Sequence, residues 1–262
     1  MCPALRSLVQ RFPSGVIRTQ ARLVRVAGSD CEGTSVNALS GMATAFWLAA
    51  GVAPAAEPAP ALPPSAEWRF AVLLDGRPIG SHRFVLTTMD GRTATLTSEA
   101  RFNVTLLGVP IYRYRHSASE HWQGNCLESI AASTDDDGRT NGLHGRQEAD
   151  GRFAIEVRTG SDDATSEPVR GLLTTCLMTF AYWHPALADQ RRLLDPSSGR
   201  LESVIFTSLP EAEMEVEGYR ASVRGMRIAG LPHPIDVWYL GTRWVGLDTT
   251  VAGGRHLSYR LR

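Results

Sequence analysis

Hydrophobic and polar residues alternate with a period of two along most of the chain. The longest run places Ala94, Leu96, Ser98, Ala100, Phe102, Val104 and Leu106 on one face, with Thr93, Thr95, Thr97, Glu99, Arg101, Asn103 and Thr105 on the other. Successive strand side chains point to opposite faces, so this is a long strand with one buried and one wetted side. Asp75-Gly76, Asp90-Gly91, Asp137-Gly138 and Asp150-Gly151 interrupt similar runs, and such pairs favour tight hairpins. The pattern predicts strands over Trp68–Leu74, Ile79–Thr87, Thr93–Leu107, Ile111–Trp122, Leu127–Ser133, Leu143–Glu148 and Phe153–Arg158. It resumes over Leu201–Leu209, Glu213–Val216, Tyr219–Ile228, Ile235–Leu240, Arg243–Val251 and His256–Leu261.

Between these two sets, Gly171 to Arg192 lacks alternation and reads as one or two short helices, Leu172–Trp183 and Pro185–Leu194. Proline suits the first turn of the second. The expected fold is mainly β: an antiparallel meander forming a curved sheet or partial barrel, with a short helical insert over residues 172–194. A β-sandwich is the alternative. The β domain is expected to occupy residues 67–262.

The first part of the chain follows other rules. Met42 to Ala56 is apolar and ends in small residues, with an A-x-A site at Ala53-Pro54-Ala55. This is the shape of a cleavable signal segment, expected over residues 36–56 with cleavage between Ala55 and Ala56. It is shorter than the roughly 20 apolar residues that span a bilayer, so no membrane span is expected in the mature form. Residues 57–66, rich in Pro and Ala, read as an extended spacer. Residues 1–35 carry Asp30 and Glu32 where a basic segment belongs. They read as a non-native or disordered extension, with translation starting internally near Val24 or Val36. The expected location is therefore the bacterial periplasm, or export beyond it; a non-cleaved extension on a cytoplasmic protein is the other reading.

Composition removes several chemistries. All 27 basic residues are arginine, which excludes a Schiff-base lysine and a Walker lysine. From Ala56 onward 22 Arg face 25 Asp and Glu, and the arginines are dispersed, so nucleic acid is not an expected partner and the net charge gives no electrostatic drive toward anionic lipid. Cys2, Cys31, Cys126 and Cys176 form no C-x-x-C pair and no zinc spacing. Export would leave Cys126 and Cys176, which an oxidising compartment would join; two separate buried thiols are the other reading.

No G-x-S-x-G, H-E-x-x-H, G-x-G-x-x-G or Walker sequence is present. No cofactor and no metal site is expected. The triplet Asp135-Asp136-Asp137 lacks the remaining ligands of a calcium loop and reads as an acidic hairpin tip. On one strand, Tyr112, Tyr114, His116, Glu120 and Trp122 share a face. Either they line a lumen, or they pair with aromatics of neighbouring strands. Tyr182, Trp183 and His184 form a second aromatic cluster, either a cap over that lumen or ordinary core with a turn histidine. The candidate ligand-binding residues are thus Tyr112, Tyr114, His116, Trp122, Tyr182 and Trp183. No catalytic residue is assigned.

Several strings carry a resemblance: Val72-Leu73-Leu74-Asp75-Gly76-Arg77-Pro78-Ile79-Gly80, Ser98-Glu99-Ala100-Arg101-Phe102 and Tyr112-Arg113-Tyr114-Arg115-His116. To these are added Cys176-Leu177-Met178-Thr179-Phe180-Ala181-Tyr182-Trp183 and Pro234-Ile235-Asp236-Val237-Trp238-Tyr239. Over residues 67–262 the chain resembles a bacterial family catalogued only as a domain of unknown function. The closing hairpin is also similar to periplasmic β families with a curved, lipid-carrier-like sheet. The resemblance implies export and no established activity. The functional expectation is a non-enzymatic periplasmic protein that binds or carries an apolar or lipid-like small molecule. An envelope enzyme acting on a lipid or glycan through His116, Glu120 or His184 is one alternative, and a scaffolding domain another.

Overall fold

The computed structural model describes residues 61–161 and 164–262. The N-terminal extension, the signal segment and Ala55–Ala56 lie outside the described residues. Strands β1 (Ala66–Leu74), β2 (Arg77–Thr88), β3 (Thr93–Leu106), β4 (Val109–Gln123), β5 (Cys126–Asp136), β6 (Arg139–Gln147) and β7 (Phe153–Ser161) form an antiparallel meander. The short β8 (Ala164–Thr165) and β9 (Val169–Leu173) both pair with β7. After the insert comes the small hairpin β10 (Arg192–Leu194) and β11 (Leu201–Ser203). A second meander follows: β12 (Ile205–Val216), β13 (Tyr219–Ala229), β14 (Ile235–Leu240), β15 (Arg243–Val251) and β16 (Arg255–Leu261).

The two meanders become one sheet because β16 pairs antiparallel with β1, from Phe70 opposite Leu261 to Leu74 opposite Leu257. The result is a 14-stranded sheet running from β12 through β16 and β1 to β8. It is a single curved sheet, as the alternation predicts, and not the two packed sheets of a sandwich. It does not close. Its β12 edge carries Pro210, Glu211, Glu213 and Glu215, with a register shift between Leu209 and Ala212. Proline, charge and irregular register all discourage edge-to-edge pairing.

Burial follows the sequence pattern. On β3, Ala94, Leu96, Ala100, Phe102 and Val104 are buried, while on β4 the inward set is Tyr112, Tyr114, His116, Ala118, Glu120 and Trp122. At Asp75-Gly76 and Asp137-Gly138 both residues have positive φ, the geometry that matches a two-residue loop to strand twist. Two further loops of this kind, Leu107-Gly108 and Glu217-Gly218, carry no Asp-Gly or Asn-Gly signal.

Two expectations are corrected. The helices expected over Leu172–Trp183 and Pro185–Leu194 do not form; the only helix in that stretch is a 3-10 turn at Pro185–Asp189. Strands take both ends of the stretch, and the remainder is held by long-range backbone bonds. Leu127 N–H donates to Leu177 C=O at 2.8 Å, and Leu194 N–H to Met178 C=O at 2.8 Å. Cys176, with φ of 55°, leaves helical geometry altogether. A carbonyl committed to a strand is lost to the i→i−4 ladder. The second correction concerns the spacer, whose last residues belong to the fold. Leu62 is buried and its N–H donates to Gly91 C=O at 2.9 Å; the Thr88 hydroxyl donates to Pro63 C=O at 2.7 Å.

Candidate functional site

The inner face of the sheet carries polar groups in register. One cross-strand row reads Phe70, His82, Ala100, His116 and Thr134; the next reads Trp68, Phe84, Ser98, Ala118 and Ala132; a third reads Leu86, Leu96, Glu120 and Ile130. Small residues at the centre of these rows (Ala100, Ser98, Ala118) leave space between larger neighbours. The 18 residues from Thr174 to Arg191 cross over that space.

Several contacts fix this insert in place. Cys126 and Cys176 are disulfide-bonded. The Tyr239 hydroxyl donates to Tyr182 C=O at 2.9 Å, and the Tyr182 ring lies 5.0 Å from that of Trp244. Trp183 meets Trp122 edge to face at 5.5 Å, and the Thr179 hydroxyl donates to Glu120 Oε2 at 3.1 Å. His184 caps the 3-10 turn, accepting from Ala186 N–H at 3.1 Å, so it is the turn histidine of the plainer reading.

Beneath the insert lies a cavity of about 80 Å³, lined by aromatic and aliphatic side chains with His82, His116, Glu120, Thr179, Asp195 and Thr249 among them. No arginine is among its described lining residues. A water needs roughly 10–15 Å³ on this measure, so the space suits a few waters or a compact organic group.

Its polar groups are unusual for a protein interior. His82 is 6% exposed, and neither ring nitrogen has a hydrogen-bond partner among the described residues; the same holds for Trp183 Nε1. His82 stacks on Phe84 at 4.0 Å and lies 6.4 Å from the His116 ring. Burial, and then the neighbouring His116, drive the His82 pKa well below the ordinary histidine range. Burial lowers His116 to about 4; its Nδ1 meets the Thr134 hydroxyl at 2.9 Å. Glu120 rises to about 7 through burial, although Thr179 and Trp122 Nε1 both donate to it. Asp195 is also raised by burial, against the opposing donors Ser197 N–H, Ser197 Oγ and Ser198 Oγ. Taking charge out of water is costly, so these groups favour their neutral forms.

Of the six candidate residues, the structure brings His116, Tyr182 and Trp183 to the cavity. Trp122 stands one layer behind, fully buried, donating to Glu120 at 3.0 Å. Tyr112 and Tyr114 lie further along β4: the Tyr112 hydroxyl donates to Asp136 at 2.8 Å, and Tyr114 stacks on Phe102 at 5.1 Å. Cross-strand aromatic pairing describes Tyr114, and a hydrogen bond to β5 holds Tyr112. His82 and Asp195 were not among the candidates. Alternation in β2 puts His82 on the face of Phe84 and Leu86, which would have found it; Asp195 lies in a turn with no periodic signal. Among the described residues, no group of three His, Cys, Asp or Glu is placed to hold a metal ion.

A curved, open antiparallel sheet with a capped lumen defines a β-barrel-like protein. Through residues 70–262 the chain belongs to a family described as a domain of unknown function, DUF6134. It is similar in fold to the crystal structure of a β-barrel-like protein of the domain of unknown function DUF1849 from Brucella abortus. That likeness has a TM-score of 0.54 and 13% identity, over 77% of this chain and 97% of that one. No curated protein matches the chain.

Proposed function

We propose that this is an exported binding protein that holds a compact, uncharged apolar or lipid-like group in the lumen beneath its insert. One observation carries the reading: His82 and Trp183 bring polar atoms without protein partners to one aromatic-lined cavity. Buried polar groups normally have partners, and leaving one unmade costs about 1–3 kcal/mol. A ligand that supplies hydrogen bonds there removes that cost.

The ligand class follows from the lining. With no arginine present and both lumen histidines held neutral, a carboxylate or phosphate would have no counter-charge. A hydroxyl, ester or amide fits, attached to a hydrophobic body. The cavity volume of about 80 Å³ admits the end of a lipid-like molecule and not a whole chain. Export is supported by the signal-like segment and by the disulfide; among the described residues no helix is long and apolar enough to cross a membrane. Binding is favoured over catalysis because His116 and Glu120, about 13 Å apart along the backbone of one strand, each bond to a different partner, His116 to Thr134 and Glu120 to Trp122 and Thr179.

Native mass spectrometry of protein extracted from the cell envelope tests the proposal. The expected result is an uncharged adduct on the wild-type chain, depleted about tenfold or more in His82→Phe, which should fold and gain stability when unliganded because the unsatisfied ring nitrogens are gone. Adduct-free wild-type protein would overturn it, as would an adduct retained unchanged by His82→Phe.

A further inference from the structure

The apex of the β3–β4 hairpin departs from every other tight turn of the sheet. Four two-residue loops have positive φ at both positions; their first residues are Asp75, Leu107, Asp137 and Glu217. Acidic and amide side chains suit such turns, whereas a leucine held at φ of 51° works against its own sterics. Leu107 is also 96% exposed, and Val109 and Ile111 beside it are exposed as well.

The apex stands clear of the sheet. β3 and β4 stay paired out to Leu106 opposite Val109, while β3 pairs with β2 only from Phe102 and β4 with β5 only from Tyr114. The ladders on either side thus stop about four residues, or roughly 13 Å, short of the hairpin's end; Val104 and Tyr112 at its base are still buried, and the exposed tip begins at Thr105 on one strand and Ile111 on the other. Pro110 lacks an N–H and the register shifts between Val104 and Thr105, so the tip is a poor template for another strand. Strand addition is guarded against, yet apolar contact is not.

Charge arranges itself along the same axis. Below the apolar end come Arg113 and then Arg101 directly opposite Arg115. All three are exposed, and none forms an ion pair with a described residue, unlike many arginines elsewhere on the sheet. Asp135, across the ladder from Arg115, accepts from Gly138 N–H instead. Two like charges facing each other across a strand pair repel, and a layer of phosphates relieves that repulsion. An apolar tip followed by snorkelling cations is the amphipathic order of the bilayer interface.

We infer that the Leu107–Ile111 apex is a wedge that enters a phospholipid bilayer, with Arg101, Arg113 and Arg115 at the phosphate level. This surface is separate from the lumen and does not depend on what the lumen binds.

The test uses the full chain with Cys2→Ser and Cys31→Ser, carrying an environment-sensitive fluorophore on Leu107→Cys. A control carries it on Met89→Cys, an exposed residue in the β2–β3 turn at the opposite end of the strands. With vesicles of phosphatidylcholine and phosphatidylglycerol, the label at 107 should shift to the blue with a severalfold rise in emission, and the label at 89 should not. Adding Val109→Asp should abolish the shift without changing the melting temperature. The inference fails if position 107 does not respond to either lipid, or if both positions respond equally through some other part of the chain. It fails equally if 107 responds without vesicles as protein concentration rises, which would mean the apex packs on a second copy.

Discussion

The two faces of this sheet treat charge in opposite ways. Outside, carboxylates meet arginines: Glu67 accepts from Arg69 and Arg83, Glu156 from Arg158 and Arg170, and Glu217 from Arg243 through two bonds. The arginines hold these acids below their ordinary pKa. Inside, no arginine among the described residues lines the cavity beside Glu120 and Asp195, and burial pushes both up. Exposed ion pairs are screened by water and are each worth little. Buried titratable groups cost stability, so a sheet that keeps four of them in one lumen keeps them against the grain of its own folding. The outer charges make the surface; the inner ones are the groups on which the proposed binding rests.

Removing the disulfide should have the largest effect on this contrast, because it ties the insert that makes the inner face an interior. Cys126→Ser with Cys176→Ser opens a loop with a sequence separation of 50 residues. Chain entropy sets the loss at about 3–4 kcal/mol, read from the denaturation midpoint. As the insert loosens and water enters, the titration of Glu120 should fall back toward the ordinary carboxylate range. An unchanged Glu120 titration in the reduced protein would mean that the lumen is shielded without the insert.

Glu120→Gln sharpens the contrast by pH. The folded-state pKa of about 7 lies above the ordinary 4.5, so Glu120 favours the fold fully below pH 4.5, and that contribution is lost as pH rises through about 7. The loss corresponds to about 3 kcal/mol. His82 and His116 act in the other direction: their lowered pKa values support stability above the ordinary 6.5, and that support is lost as pH falls through their folded values. Both histidines remain in Glu120→Gln, so they cancel when the variant is compared with wild type. The stability difference should move in the variant's favour by about 3 kcal/mol across the Glu120 window. Parallel pH–stability curves would show that Glu120 titrates normally.

The smallest effect belongs to the outer face. Arg243→Gln removes a two-bonded surface pair with Glu217 and should cost less than about 1 kcal/mol, fading further as salt is added. A larger, salt-insensitive loss would show that the outer pairs also support the fold.

Much of this was legible along the chain because it depends on local rules. Strand direction sets which side chains share a face, so alternation alone groups Tyr112, Tyr114, His116, Glu120 and Trp122, and all five are buried together on the inner side of β4. Asp-Gly turns announced their hairpins, and Cys126 and Cys176, the two cysteines beyond the signal-like segment, were the candidate pair that the structure joins. Membership of one face did not say which part of it meets the cavity. Tyr112 and Tyr114 share the face of His116 but sit beyond the insert, beside Asp136 and Phe102. The stretch around Thr179 looked helical because it lacked alternation, yet tertiary hydrogen bonds from β5 and β10 claimed its carbonyls.

The sequence by itself determined the mainly β architecture, the inward and outward faces of its long strands, and the turns that link them, since each follows from the two-residue period of a strand and from turn sterics. Only the tertiary structure decided that β16 joins β1 into one curved sheet, that an irregular segment crosses it, and that His82, Glu120 and Asp195 share one lumen. Those outcomes rest on contacts between residues far apart in the chain, where no local periodicity carries the information. The Leu107 apex shows the same division: its leucine is plain in the sequence, but its isolation beyond the sheet comes from where the neighbouring ladders stop.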